Sequence, residues 1–224
     1  MPVKIENYIR IKKELEANGV TLVAVSKTKP VEDILELYHS GQRDFGENYV
    51  QELVEKANLL PKDIRWHYIG HLQSNKVKLI TPIVQLIHGV DSLKLLKEIN
   101  KQAEKNGRVV DCLLQVYIAR EETKFGLDEQ ELYEIFSLLD KEPMHNIKIK
   151  GLMGMASFIE DSEKVRKEFI VLKTLFNKLK LHSANHSPLT ILSMGMSNDY
   201  KIAIEEDSTM VRIGSLLFGE RTKK

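Results

Sequence analysis

Leu22-Val23-Ala24-Val25-Ser26-Lys27-Thr28-Lys29-Pro30 is the stretch that decides the fold. Four apolar residues run without a break and then give way to a polar turn. Strands covered on both faces read this way, nearly continuous in apolar residues rather than alternating. An open sheet built to bind a dinucleotide would place a glycine-rich turn directly after such a strand. Here the turn reads Ser26-Lys27-Thr28-Lys29-Pro30 and contains no glycine.

Working outward, the first run covers Thr21–Thr28. Similar runs recur at Asp44–Tyr49, Arg65–Gly70, Leu86–Asp91, Asp111–Ala119, Ile147–Ala156, Thr190–Ser197 and Met210–Gly219. Helical segments lie between them. Val31–Ser40 stops at Gly41, and Leu93–Asn106 follows Asp91-Ser92 and stops at Gly107. A polar cap at the start and a glycine past the end are the expected punctuation. Ser162–Lys180 carries Val165, Phe169, Leu172, Phe176 and Leu179 along one helical face. Alternating strands and helices predict a parallel sheet. Eight such units favour closure into a (β/α)8 TIM barrel, which leaves no open edge, with an extra N-terminal helix over Lys4–Ala17. A doubly wound open α/β sheet is the structural alternative. No Pro/Gly/Ser-rich linker divides the chain, so residues 1–224 are expected to form a single domain.

Composition excludes several function classes. The chain is 42% hydrophobic and 29% charged, enough apolar material for a core and too much for disorder. A net charge of +1 gives no footprint for nucleic acid or an anionic membrane surface. Cys112 is the sole cysteine and can form no internal disulfide, which fits a reducing compartment. The start of the chain has no apolar leader, and no apolar run approaches the roughly 18 residues of a membrane span. The expectation is a cytoplasmic, soluble protein.

In a (β/α)8 barrel, functional groups gather at the C-terminal ends of the strands. Lys27 closes the first strand. Desolvation at a barrel mouth favours the neutral amine, and Lys29 pushes the same way. A neutral amine is what Schiff-base formation requires. Against this, a lysine at a strand end more commonly just faces water. In the C-terminal third, Ser197 can cap a helix or bind an anion at a helix N-terminus. Gly214 lets backbone N–H groups approach a ligand closely. The loops after strands seven and eight are the usual phosphate site of this fold. The alternative is purely structural: Ser197 as a cap and Gly214 as relief of crowding. Arg212 sits inside an apolar strand and needs a partner. Glu47 or Asp91 would make a structural pair, and a pyridine nitrogen would make a ligand acceptor.

Seven stretches together resemble the pyridoxal phosphate homeostasis protein family, relatives of the alanine racemase N-terminal domain. They are LVAVSKTKP at 22–30, FGENYVQE at 45–52, WHYIGHLQSNK at 66–76, KFGL at 124–127, GLMGMA at 151–156, LSMGMSND at 192–199 and VRIGSLLFG at 211–219. They run in order over nearly the whole chain. The resemblance implies a fold-type III barrel that binds pyridoxal 5′-phosphate (PLP) as a Schiff base on Lys27. It implies that Ser197, Gly214 and Ser215 hold the phosphate, that Arg212 faces the pyridine nitrogen and that Asn48 lies beside the ring. Lys124 matches the family pattern in a peripheral role.

An arginine at the ring nitrogen only donates, so it leaves that nitrogen unprotonated and weakens the ring as an electron sink. Racemisation also needs an acid/base on each face of the substrate carbon. In racemases of this type the second group is a tyrosine from an additional β-domain, and the sequence ends at Lys224, where the barrel should close. The expected role is therefore PLP carriage and homeostasis without catalysis. The expected form is a monomer, with apo PLP-dependent enzymes as candidate recipients. A weak PLP-dependent amino-acid racemase is the runner-up. A lyase with a PLP-independent lysine imine and a non-covalent phosphate binder are further alternatives.

Other signals carry less. Ser26-x-x-Lys29 lacks the partner motifs of penicillin-binding enzymes. His67 and His71 are too far apart on an extended strand to share a metal; His67 is expected to be packed or half-exposed, and His71 to line the mouth. His182 and His186 are expected to face solvent. Met153, Met155, Met194 and Met196 read as core filling, with one of each pair near the cofactor. Asp44 and Glu47 make no convincing acid/base pair.

Overall fold

The computed structural model describes residues 3–119, 126–157, 159–182 and 188–220. Lys124 and His186 lie outside the described residues, as does the side chain of His182. The strands are β1 (Thr21–Val25), β2 (Asp44–Glu47), β3 (Arg65–Tyr68), β4 (Leu86–Val90), β5 (Val110–Val116), β6 (Ile147–Gly154), β7 (Ile191–Ser193) and β8 (Met210–Ile213). They pair in sequence order, all parallel, and β8 returns to β1 to close the barrel. The helices are α1 (Ile5–Ala17), α2 (Val31–His39), α3 (Val50–Leu59), α4 (Val77–Ile80), α5 (Leu93–Lys105), α6 (Glu129–Lys141), α7 (Ser162–His182), α8 (Tyr200–Glu205) and α9 (Ser215–Phe218). The expected extra N-terminal helix is α1.

Side chains alternate between the two faces of each strand. One set fills the barrel axis: Val23, Leu86, Leu113, Met153 and Met210 pack together there, with Met155 and Ile191 against them. The other set meets the helices, as Leu22, Ala24, Phe45, Trp66, Ile87, Cys112, Leu152 and Val211 do. Cys112 is fully buried, and burial pushes its thiol well above the ordinary value, so it behaves as an inert apolar group.

Every expected strand is present, but each ends earlier than its apolar run. The run Thr190–Ser197 becomes the three-residue β7, because the backbone turns at Gly195 with φ +96°. A Cβ at Gly195 would sit 2.6 Å from the Ala203 side chain, so a glycine is required at this turn. The polar residues that follow each strand are thereby released into loops at the mouth.

Helix punctuation is local. Ser92 Oγ accepts from Leu95 N–H at the start of α5. At α6, Asp128 and Glu131 form a reciprocal capping box. Asp128→Ala should cost about 1 kcal/mol. Urea unfolding checks this, and an unchanged midpoint would remove the cap from the stability account.

Candidate functional site

The cavity at the C-terminal mouth of the barrel has a volume of about 730 Å³. Lys27, Asn48, Ser197, Arg212, Gly214 and Ser215 all line it. Residues far apart in sequence meet there because strand one pairs with strand eight, with Val23 beside Arg212 and Ala24 beside Ile213. Val25, the last residue of β1, lines the cavity, and so does Lys27 in the turn that follows. Lys27 is half-buried.

The turn after β1 is held from behind. Thr28 takes φ +63°, a left-handed conformation that costs a non-glycine residue roughly 1–3 kcal/mol. Its N–H donates to Glu52 Oε1 at 2.6 Å, and Lys29 N–H donates to Ser26 O at 3.0 Å. Lys56 reaches up from α3 and donates to Ser26 O at 2.8 Å, Glu47 Oε1 at 2.8 Å and Glu52 Oε1 at 2.6 Å. Ser26 Oγ–H donates to Glu47 Oε1 at 2.6 Å. Burial raises Glu47 to about 7, more than Lys56 and Ser26 lower it. Lys29 turns the other way and donates to Phe218 O at 2.8 Å, tying this turn to the last helix.

The opposite wall comes from the ends of β7 and β8. Ser197 is not the cap of α8: that helix starts at Tyr200, and Asp199 Oδ1 takes the Met196 N–H. Ser197 Oγ instead accepts from Gly214 N–H at 3.3 Å and joins the two loops. A Cβ on Gly214 would lie 3.3 Å from Val25 O, so the backbone passes close to β1. Ser215 is exposed at the start of α9.

Arg212 is 4% exposed and makes neither suggested ion pair. Glu47 lies on the helix-facing side of β2 with Lys56, and Asp91 lies 3.0 Å from His71. Arg212 donates instead to Ser193 O at 3.0 Å, Ser193 Oγ at 2.6 Å and Gly154 O at 3.0 Å. Burial lowers it to about 10, opposed by the charge of Asp199, so it remains a cation at neutral pH. Asn48 contributes a further feature: its Oδ1 is buried with no hydrogen-bond partner among the described residues.

Met155 and Met196 line the cavity, while Met153 and Met194 are buried in the core, so each pair divides as expected. His71 is exposed beside Asp91 in the loop after β3 and is not among the residues lining this cavity. Of the two alternatives for His67 the structure shows the packed one: it is buried and touches His88. Sequence reasoning missed His88 and Lys56. For His88 the available signal was a polar residue inside the apolar run Leu86–Val90. For Lys56 it was the i,i+4 spacing from Glu52. Among the described residues no cluster of metal-ligating side chains occurs.

Residues 5–222 match the family model of the alanine racemase N-terminal domain. A pyridoxal phosphate homeostasis protein of Aquifex aeolicus is 44% identical over 218 residues, 95% of this chain and 94% of that one. The chain belongs to the pyridoxal phosphate homeostasis protein family. A human member, of the same name, is 39% identical over 93% of this chain and 79% of its own. Among solved structures of the family, PipY of Synechococcus elongatus with PLP bound superposes with a TM-score of 0.86 at 35% identity, covering 96% of this chain and 99% of that one. The Clostridium difficile alanine racemase shares the barrel with a TM-score of 0.69 at 15% identity, over 100% of this chain and 60% of its own. No helix among the described residues is long and apolar enough to cross a membrane.

Proposed function

We propose that this protein binds PLP in the mouth cavity as a Schiff base on Lys27 and serves intracellular PLP homeostasis rather than catalysis. The observation that carries this is the convergence of all six expected residues on one cavity, in a chain whose relative PipY was solved with PLP. The residues fit the group. An orphaned buried acceptor, Asn48 Oδ1, suits a ring that bears a hydroxyl. The Ser197–Gly214 junction and Ser215 suit a phosphate, and a Cβ at Gly214 would press on Val25 O at 3.3 Å, so a glycine gives the easiest close approach. Arg212, a pure donor, suits an unprotonated ring nitrogen. PLP would supply an aldehyde for the Lys27 amine to condense with, releasing water, and Ser197, Gly214 and Ser215 would hold its phosphate from across the cavity.

The relatives are named as homeostasis proteins. Apo PLP-dependent enzymes are the proposed recipients, the monomer the proposed form, and residues 1–224 the proposed single folding unit. The test is the absorption spectrum of purified protein with and without added PLP. A yellow band that borohydride converts into a fixed adduct mapping to Lys27 is expected. A protein that stays colourless in excess PLP would sink the proposal. Sustained turnover of individual amino acids above buffer would move it to the racemase reading.

A further inference from the structure

From Arg212 downward, five side chains from five strands form one hydrogen-bonded column along the barrel axis. Arg212 of β8 donates to Ser193 Oγ of β7 at 2.6 Å. Ser193 Oγ lies 3.2 Å from Nδ1 of His88 on β4. His88 Nε2 lies 3.0 Å from Nδ1 of His67 on β3, and His67 Nε2 lies 3.0 Å from Oδ1 of Asp44 on β2. At the far rim Arg65, half-exposed, donates through Nε to Asp44 Oδ1 at 2.7 Å. Ser193 and His88 are fully buried, and His67 is 3% exposed.

The ends of the column set its direction. Arginine only donates and an ionised carboxylate only accepts. Burial works against the Asp44 carboxylate, but hydrogen bonds from Arg65 and His67 outweigh it and hold the group near 2. Burial, with His67 and Arg212 nearby, holds His88 well below the ordinary histidine value, so it carries one ring proton. Ser193 Oγ accepts from Arg212 and is left with one proton to give, and His88 Nδ1 takes it. His88 then donates through Nε2 to His67 Nδ1, and His67 donates through Nε2 to Asp44. Every polar atom is satisfied in this order. The reverse order would set a bare His67 nitrogen against a carboxylate or place another cation in the core.

We propose that the column Ser193–His88–His67–Asp44 is a positioning device that fixes the aim of the Arg212 guanidinium at the mouth. The hydrogen-bond acceptors of Arg212 among the described residues are neutral oxygens. Each O–H and N–H dipole in the column turns its negative end toward Arg212 and its positive end toward Asp44. Aligned bonds of this kind polarise one another in a low-dielectric interior. The proposal rests on the assignment of Arg212 to the cofactor's ring nitrogen.

The experiment has two readouts. In protein with ¹⁵N-labelled histidine, long-range ¹H–¹⁵N correlation should show His67 and His88 both protonated on Nε2, with or without ligand. A proton on His88 Nδ1 would overturn the column's direction. The second readout is the affinity for pyridoxine 5′-phosphate, which has no aldehyde and therefore does not need Lys27. His88→Leu and Ser193→Ala should each bind about tenfold more weakly, the loss of one oriented charge-assisted contact. His88→Gln, which still accepts at one end and donates at the other, should recover most of that loss. An analogue with CH in place of the ring nitrogen should bind all four proteins alike. Unchanged affinity in folded Ser193→Ala, or the same loss with the CH analogue, would overturn the positioning role. Failure of the wild type to bind either phosphate would instead sink the PLP reading, and the positioning role with it.

Discussion

Lys27→Ala is expected to abolish the borohydride-fixed PLP adduct completely while leaving the fold unchanged. The side chain ends in a wide cavity rather than in the packed core, so its removal opens no buried void. Binding that remains should come from the Ser197–Gly214 junction, Ser215 and Arg212. The loss of the covalent link should weaken it by about a hundredfold, near 2.7 kcal/mol. Lys27→Arg separates charge from chemistry, since it keeps a cation that cannot condense with an aldehyde. It should behave like the alanine variant in the borohydride assay. Mass spectrometry of the reduced protein decides the matter, and an adduct on another lysine would refute the assignment.

Lys56→Met should be the most destabilising change near the site, by about 3–5 kcal/mol at neutral pH. It removes the only cation bonded to Glu47 among the described residues and leaves that carboxyl buried, with Oε2 already unpartnered. It also releases Glu52 and Ser26, the groups that hold the strained Thr28 turn. The pH dependence has a definite sign. Folding raises Glu47 from its ordinary 4.5 to about 7, so the folded state retains its proton longer than the unfolded chain. The resulting stability is full below about 4.5 and fades as pH rises through 7, by up to about 3 kcal/mol. Glu47→Gln should flatten that profile in urea titrations between pH 5 and pH 8. Without Lys56 the loss should be larger at pH 8 than at pH 5, because protonation relieves the stranded charge. A Lys56→Met protein as stable as the wild type would show that the cluster contributes nothing.

Most of the architecture was legible because parallel strands leave an unbroken apolar trace. Val23 serves the axis and Leu22 the helix layer, and both are apolar, so the run marks the strand without showing its two faces. Strand ends were not legible. In Met194-Gly195-Met196 the apolar trace continues although the regular strand ends at Ser193 and the backbone turns at Gly195. The six site residues could be named because barrels of this kind put their chemistry at one end and because the motifs resemble a family. The partner of Arg212 could not. It depends on the register of β8 against β7, and on Ser193 turning inward, which spacing in one sequence does not report. His88 was hidden for the same reason: a one-residue slip of β4 would place it among the helices.

The filled axis has a consequence for traffic. Val23, Leu86, Leu113, Met153 and Met210 pack beside His67, His88 and Ser193, so polar and apolar side chains together plug the barrel below the cavity. The barrel is a cup and not a pipe. Whatever enters must leave over the same lip, past the turn bearing Lys27 and the loops bearing Ser197 and Ser215. On the proposed carrier reading, a recipient would have to approach from that lip.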